Sequence, residues 1–444
     1  MDTFASDRDE VVTRAEDAGI KYILNAGSDR AANIAGLELS SRYPQVYSAV
    51  GIHPHDANTL DGSLYKELKT WAGNPKVIAI GETGLDYHYL HSPKGVQIDA
   101  FRKQIMLAKE LNLPIIVHSR EAKKDTMRIL KEEITDTSGV LHCFSGDKEM
   151  AKDAMEMGFY ISIAGPVTFK NAKKLREIIE FIPDEFLLIE TDAPYLSPVP
   201  MRGKRNEPSF IHYTAKTVAE IRGISLTDLA RITTLNALKL FKIGKMSEKG
   251  EIAYKIRDSL YLNVTNKCTN KCRFCVRFRT SYVKGHNLRL EREPTALQLI
   301  KAIQDPRDYK EVVFCGIGEP LLRLDIVKKV SKWIKDNGGT VRINTNGHGN
   351  LIHKRNIVPE LAGLVDSLSI SLDAENEKKY EKVCRPQLKN AFPGMLAFVR
   401  EAKKVIPEVK LTVVNVPQIN IKKCEALAKE LGVPLRIRSF NVVG

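Results

Sequence analysis

Short apolar runs alternate with longer amphipathic segments along almost the whole chain, and this restricts it to an α/β architecture built on parallel strands. In the first half the runs fall at Tyr22–Ala26, Tyr47–Gly51, Val77–Gly81, Ile115–Val117, Val140–Leu141, Tyr160–Ile163 and Phe186–Ile189. Helix-like segments such as Asp7–Ala18, Asp99–Leu111 and Ala172–Phe181 lie between them. The pattern predicts seven strands here, not eight. From Ile243 to Lys255 the chain becomes polar and lysine-rich, with Gly244 and Gly250. A second series then follows: Leu260–Val264, Val312–Phe314, Val341–Ile343, Leu368–Ile370, Leu411–Val414 and Leu435–Ile437. The expected domains are residues 1–247 and 256–444.

The length of 444 residues suits two such domains, and 43% hydrophobic residues suffice for two cores. No run approaches ~18 consecutive apolar residues, which argues against a membrane span. The opening Met1-Asp2-Thr3-Phe4-Ala5-Ser6-Asp7 has neither the basic end nor the apolar stretch of a secretory leader, so a cytoplasmic location is expected. The formal charge of +14 is compatible with DNA or another nucleic acid as partner, and equally with a surface rich in solvated lysines. Oligomeric state is not legible.

Seven cysteines are present, and three crowd into Cys268-Thr-Asn-Lys-Cys272-Arg-Phe-Cys275, directly after a predicted strand. An odd number with such clustering is a poor disulfide framework and a good metal-ligand pattern. Three thiolates at C-x3-C-x2-C spacing can wrap one face of an iron–sulfur cube and leave one iron open. A zinc site taking a fourth ligand from elsewhere uses the same donors. Cys315, Cys384 and Cys424 lie outside the triad and read as small apolar residues.

Three further motifs follow in order, each at a predicted strand end: Gly316-Ile317-Gly318-Glu319-Pro320, Asn344-Thr345-Asn346-Gly347 and Ser369-Ile370-Ser371-Leu372-Asp373. With Phe274 before the third cysteine, they resemble the radical S-adenosylmethionine (radical SAM) superfamily across nearly the whole second half. The resemblance implies a partial (β/α)6 barrel with a [4Fe–4S] cluster on Cys268, Cys272 and Cys275. It implies SAM held by Gly316, Gly318, Glu319, Asn346, Ser371 and Asp373, and a flavodoxin- or ferredoxin-type electron donor. The expected chemistry is reductive cleavage of SAM to a 5′-deoxyadenosyl radical that abstracts hydrogen from a substrate the sequence does not name.

The first half carries four polar constellations at strand ends: Gly81-Glu82-Thr83-Gly84-Leu85-Asp86-Tyr87, His118-Ser119-Arg120, His142-Cys143-Phe144-Ser145-Gly146 and Thr191-Asp192-Ala193-Pro194-Tyr195. Two histidines and two carboxylates on the C-terminal rim of a parallel barrel can converge on a divalent cation. With Gly51-Ile52-His53-Pro54-His55, this half resembles the TatD family of metal-dependent hydrolases, many with DNase activity, from Asp7 to about Lys242. The resemblance implies a TIM-type barrel in which Glu82 bridges two metals, His118 and His142 hold one, and Asp192 the other. Glu82 and Asp192 are the implied catalytic carboxylates. His53 and His55 either contact a phosphate or serve packing.

Family members open with a strand bearing a His-x-His pair, whereas the first histidine here is His53. The expectation is a barrel lacking its first strand, either because the protein begins upstream or because the barrel is a degenerate scaffold, with weak or absent hydrolase activity. The chain as a whole resembles a fusion of a TatD-type hydrolase with a TatD-associated radical SAM protein. The alternative expectation keeps only the radical SAM half catalytic and leaves the first half to bind or present nucleic acid. A third makes the radical SAM half an activating enzyme that installs a glycyl radical on a partner.

Overall fold

The computed structural model describes residues 2–134 and 137–439. The chain forms two compact units, residues 1–246 and 247–444.

In the first unit seven strands form one sheet in chain order: β1 (Ile23–Ala26), β2 (Val46–Val50), β3 (Val77–Asp86), β4 (Ile115–Arg120), β5 (Gly139–Leu141), β6 (Tyr160–Ile163) and β7 (Leu187–Ile189). Every neighbouring pair is parallel. A helix lies between each strand and the next, so the sheet curls as a half-barrel with helices outside. Aspartates start several of these helices. Asp29, Asp61 and Asp147 accept the backbone amides of Ala32, Leu64 and Met150 and satisfy donors that the first turn leaves open.

Side chains of opposite parity divide the work. Val50, Ile80, Ile115, Val117, Leu141 and Ile161 pack outward against the helices. Ala49, Ala79, Ile116, Val140 and Leu188 form a second, smaller core with Leu240 of the helix Leu226–Phe241. Both faces of the strands are therefore apolar, as parallel sheets require.

The second unit carries β8 (Ala253–Ile256), β9 (Ser259–Leu262), a short antiparallel hairpin β10 (Tyr282–Val283) and β11 (His286–Asn287), then β12 (Glu311–Phe314), β13 (Val341–Thr345), β14 (Ser367–Ser371), β15 (Glu408–Asn415) and β16 (Leu435–Ser439). The main sheet runs β16-β15-β14-β13-β12-β9-β8. The six expected strands are parallel, and β8 adds a seventh, antiparallel edge. The sequence reading placed this stretch in the polar link. Its pattern is only four residues long and its turn uses Arg257 at φ 56, a conformation that glycine or asparagine normally signals. Burial of Tyr254 against Tyr261, ring centroids 5.3 Å apart, supplies what local pattern lacks.

Leu260, Leu262, Val312, Phe314, Val341, Ile343, Leu368, Ile370, Leu411 and Val413 face the helical core. The alternate positions are mostly polar, with Arg342, Asn344, Ser369, Ser371, Lys410 and Thr412 in adjoining rows. One face of the curled sheet is thus sealed by helices and the other is chemically equipped.

Candidate functional site

In the first unit three imidazoles surround one carboxylate oxygen. Glu82 Oε1 lies 2.7 Å from His142 Nε2, 2.9 Å from His118 Nδ1 and 3.3 Å from His53 Nε2. Irregular pairing of β3 with β4 puts Glu82 there. Ile80 pairs with Ile115 and Thr83 with Val117, so three steps on β3 face two on β4, with Glu82 in the bulge. Gly84 permits the close approach that follows. It sits at φ 136, and a Cβ there would stand 2.0 Å from the carbonyl oxygen of His118.

A second layer of carboxylates holds the imidazoles. Asp86 Oδ2 is 3.0 Å from His55 Nε2 and 3.3 Å from His118 Nε2, while its Oδ1 accepts the amides of His88 and Tyr89. Glu190 Oε1 lies 3.3 Å from His142 Nδ1 and accepts the Cys143 amide at 2.6 Å, and its Oε2 accepts the Ser162 hydroxyl. Such carboxylate–imidazole pairs fix ring orientation and raise ligand basicity. Burial opposes the charge of Glu82, yet His142, His118 and His53 together hold its carboxyl well below the usual range. Burial likewise opposes a charged His142, and Glu82 and Glu190 override it and raise the imidazole well above its ordinary value. Three imidazoles around one carboxylate oxygen are a donor set that fits a divalent metal. His53, Glu82 and His118 each offer a ligand atom within 4.8 Å of the others.

The structure brings together Glu82, His118 and His142. Asp192, after β7, has no hydrogen bond to any of them among the described residues. It is near enough for His142, Glu190, Glu82 and His118 all to influence it, and burial pushes its carboxyl up to about 7. His53 turns out to face Glu82, where sequence alone left it between ligand and packing. Asp86 and Glu190 were missed as supporting groups. Asp86 ends the strand that carries Glu82, and Glu190 stands two residues before Asp192. The available signal was a second carboxylate beside each motif.

In the second unit Cys268, Cys272 and Cys275 leave β9 on one loop and are all half-buried. Backbone bonds zip that loop to the end of the helix Glu377–Cys384. Lys271 N donates to Cys384 O, Arg273 N to Val383 O, and Gln387 N to Thr269 O. Two buried polar atoms beside the loop, Asn270 Oδ1 and Arg277 Nε, have no protein partner. Burial, reinforced by Glu319, pushes the Cys268 thiol up to about 12, so metal uptake must release protons. Three thiolate donors on one loop and these unsatisfied atoms fit an iron–sulfur cluster.

The glycine loop sits against the start of the cysteine loop. A Cβ on Gly316 would meet Asn263 Oδ1 at 2.1 Å, and one on Gly318 would meet the Thr265 carbonyl oxygen at 2.2 Å. Glu319 is buried. Its Oε1 accepts Leu321 N and the Thr345 hydroxyl, and its Oε2 accepts Asn346 N. Asn346 reaches the other way, donating through Nδ2 to Thr269 Oγ1 at 2.7 Å and lying 3.8 Å from Cys268 Sγ. Ser371 closes β14 on the polar face, half-buried. Asp373 is buried and clamps the sheet by accepting the Val414 amide at 3.1 Å. Cys384 is buried against Cys272 and Asp373 rather than exposed to the polar face.

A half-barrel bearing an imidazole–carboxylate cluster and a second α/β unit bearing a thiolate loop define a two-domain α/β protein with a candidate metal centre in each. Residues 1–242 match the TatD related DNase family and residues 262–431 the Radical SAM superfamily. The chain belongs to the TatD related DNase family and carries a radical SAM domain after it. The first unit is 46% identical over 242 residues to the uncharacterized metal-dependent hydrolase YabD of Bacillus subtilis, covering 54% of this chain and 95% of that one. It is 38% identical over 246 residues to the 3′-5′ ssDNA/RNA exonuclease TatD of Salmonella typhimurium, covering 54% and 95%. Among solved structures the TatD homolog YJJV of Escherichia coli K12 superposes with a TM-score of 0.53 at 28% identity, over 55% of this chain and 95% of that one.

Proposed function

We propose that the chain is a bifunctional enzyme: a radical SAM enzyme joined to a divalent-metal-dependent phosphodiesterase that acts on nucleic acid. The observation that carries the first part is three half-buried thiols on one loop beside two partnerless buried polar atoms. Cys268, Cys272 and Cys275 would hold a [4Fe–4S] cluster, which with SAM supplies one-electron cleavage of the sulfonium and a 5′-deoxyadenosyl radical for hydrogen abstraction. Gly316 and Gly318 bring backbone close to the ligand. Glu319, with Asn346 locked to it, would receive the ammonium of SAM, and Ser371 and Asp373 would bind its polar groups. The electron arrives from a flavodoxin- or ferredoxin-type donor. The substrate is a nucleic acid, nucleotide or peptide.

In the first unit Glu82, His118, His142 and His53 would hold a divalent cation, which activates water and neutralises phosphoryl oxygens. Asp86 and Glu190 keep the imidazoles oriented. Asp192, carrying a proton near neutrality, is placed to exchange it with the attacking water or the leaving oxygen. Single-stranded DNA or RNA is the substrate class, as the name of the Salmonella relative suggests for that protein.

The test is anaerobic reconstitution with iron and sulfide, reduction, addition of SAM, and chromatography of 5′-deoxyadenosine, with Cys272→Ala beside it. Product from the wild type alone supports the reading. A wild type that binds no cluster ends it. End-labelled single-stranded DNA with Mg²⁺ or Mn²⁺ tests the first unit. A second reading, in which this unit only presents nucleic acid, draws on Asp192 standing outside the His53–Glu82–His118 group. Metal-dependent cleavage that disappears in Glu82→Gln would dismiss it.

A further inference from the structure

The loop after β3 carries an aromatic ring that is exposed and yet held in place. Tyr89 is 53% exposed, so core packing does not account for it. Its ring is braced edge-on by His88 at 4.7 Å and His55 at 5.5 Å between centroids, and His91 lies against it at 5.7 Å. These rings lead back to the carboxylate–imidazole cluster. His55 packs on His53 at 4.3 Å between centroids, and His53 faces Glu82. A ring fixed before anything binds loses little freedom when a ligand lies on it.

Arg120 completes the group. It lies two residues beyond His118 on β4, so both side chains leave the strand on the same side. Its guanidinium carbon stands 4.7 Å from the centre of the Tyr89 ring, over the face. Among the described residues Arg120 has no carboxylate partner, and the adjacent Glu121 is taken by His88 Nδ1 at 2.8 Å. Arg30, Arg42, Arg102 and Arg128 of the same unit all pair with carboxylates. Contact with a ring face uses the plane of a guanidinium and leaves its N–H edge open to an anion. The arrangement recurs in the loops after β6 and β7, where Arg202 lies 4.6 Å over the Phe169 ring. A flat cation on an aromatic support therefore stands on both sides of His142 in strand order, which suits a polymer better than a lone nucleotide.

We propose that Tyr89 and Arg120 form the docking site for one nucleotide of a single-stranded nucleic acid, with the base stacked on their planes and the adjoining phosphate paired with the Arg120 N–H edge. Bases stack on tyrosine rings and on guanidinium planes alike, whatever their identity. The inference rests on the reading of the first unit as a nucleic-acid site and adds which residues hold the strand beside the metal cluster.

The test is fluorescence anisotropy of a labelled single-stranded DNA on the full-length protein, in EDTA at low salt so that no cleavage intervenes. Oligonucleotides carrying one abasic residue, moved along the strand, are titrated beside the intact one. For the wild type, one position should weaken binding about tenfold when its base is removed, the usual size of one lost stack. Tyr89→Ala should bind intact DNA about tenfold more weakly and show no further loss at that position. Arg120→Lys keeps the charge and loses the plane, so its abasic loss should vanish too, whereas Tyr89→Phe should behave as the wild type. Mn²⁺ binding by each variant shows whether the cluster is intact; if Tyr89→Ala lacks it, Arg120→Lys decides alone. An abasic loss that persists undiminished in the intact variants, or that no position shows, overturns the proposal. A wild type that neither binds nor cleaves single-stranded DNA overturns the underlying reading as well. One that cleaves with Mn²⁺ while its variants bind as tightly as it does overturns this inference alone.

Discussion

Glu319 Oε2 accepts the backbone amide of Asn346 at 2.7 Å, so the glycine-loop motif and the end of β13 are one structure rather than two neighbouring ones. Its Oε1 takes Leu321 N at 3.0 Å and the Thr345 hydroxyl at 2.8 Å. Glu319→Gln turns an amide toward the Asn346 N–H and sets donor against donor. The expected result is at least a tenfold weaker SAM affinity with unchanged iron content, measured by equilibrium dialysis of labelled SAM on the reconstituted protein. Burial pushes this carboxyl up to about 7. Its charged form is lost as pH falls through that value, so wild-type SAM affinity should rise between pH 6 and 8, and the variant's should not.

Gly318 is a packing requirement of the same loop. A Cβ there would lie 2.2 Å from the Thr265 carbonyl oxygen and 2.6 Å from that of Lys267, both rigid backbone atoms at the root of the cysteine loop. Gly318→Ala should destabilise the second unit by about 1–3 kcal/mol, the usual size of an overpacking defect. Because the strain falls on the residues leading into Cys268, iron content should drop alongside. Denaturant unfolding and iron analysis check both, and a variant that unfolds with the wild type would show that the loop yields freely.

The strands and site motifs were legible because each depends on local pattern: a buried parallel strand reads as an apolar run, and its ligand-binding residues follow at its C-terminal end. Glu82, His118 and His142 converge, and Glu319 and Asn346 interlock, as strand-end residues should. What pattern does not encode is contact between distant segments. His53 faces Glu82 only because β2 lies beside β3 and the bulge in β3 turns Glu82 inward. Glu190 supports His142 across two strands, and its place beside Thr191 and Asp192 marks a second carboxylate without naming its partner. His348 and Tyr380 were invisible for the same reason, since one reads as an ordinary residue before a helix and the other as one within a helix until burial joins them to Thr269 and Asn270. The strand β8 was hidden by its shortness and by a positive-φ arginine at its turn.

His348 also makes stability depend on pH. The folded ring titrates at about 4 and the free imidazole at 6.5, so between these values the unfolded chain binds the extra proton. Stability from this residue is complete above about pH 6.5 and is lost as pH falls toward 4. Between pH 7 and 5 the loss is roughly 2 kcal/mol, from about 1.36 kcal/mol per unit over about 1.5 units. Glu319, raised by burial, works in the opposite sense between about 4.5 and 7, so the net wild-type profile is shallower. The difference between wild type and His348→Gln isolates the histidine. Their gap in unfolding free energy should be larger at pH 7 than at pH 5. A constant gap would mean that the ring is charged or exposed in the native state.

Asp192 offers the corresponding test in the first unit. Its carboxyl stands at about 7 chiefly because it is buried, with Glu190 and Glu82 adding to the rise and His142 opposing it. A divalent cation in the site supplies the opposite charge that burial withholds, and binding must then expel the proton. Mn²⁺ affinity should therefore climb as pH rises from 6 toward 8, up to about tenfold per unit for each proton released, and flatten beyond. Calorimetry in buffers of different ionisation enthalpy counts that proton directly. Asp192→Asn should bind Mn²⁺ with a shallower pH dependence, because the titrating group is gone while His53, Glu82 and His118 remain. Glu82→Gln should lose binding by at least a hundredfold at every pH, since it neutralises the one oxygen that three imidazoles share. If Asp192→Asn kept the full slope, the proton would belong to His118 or His142, and the acid–base role would move from the carboxylate to an imidazole.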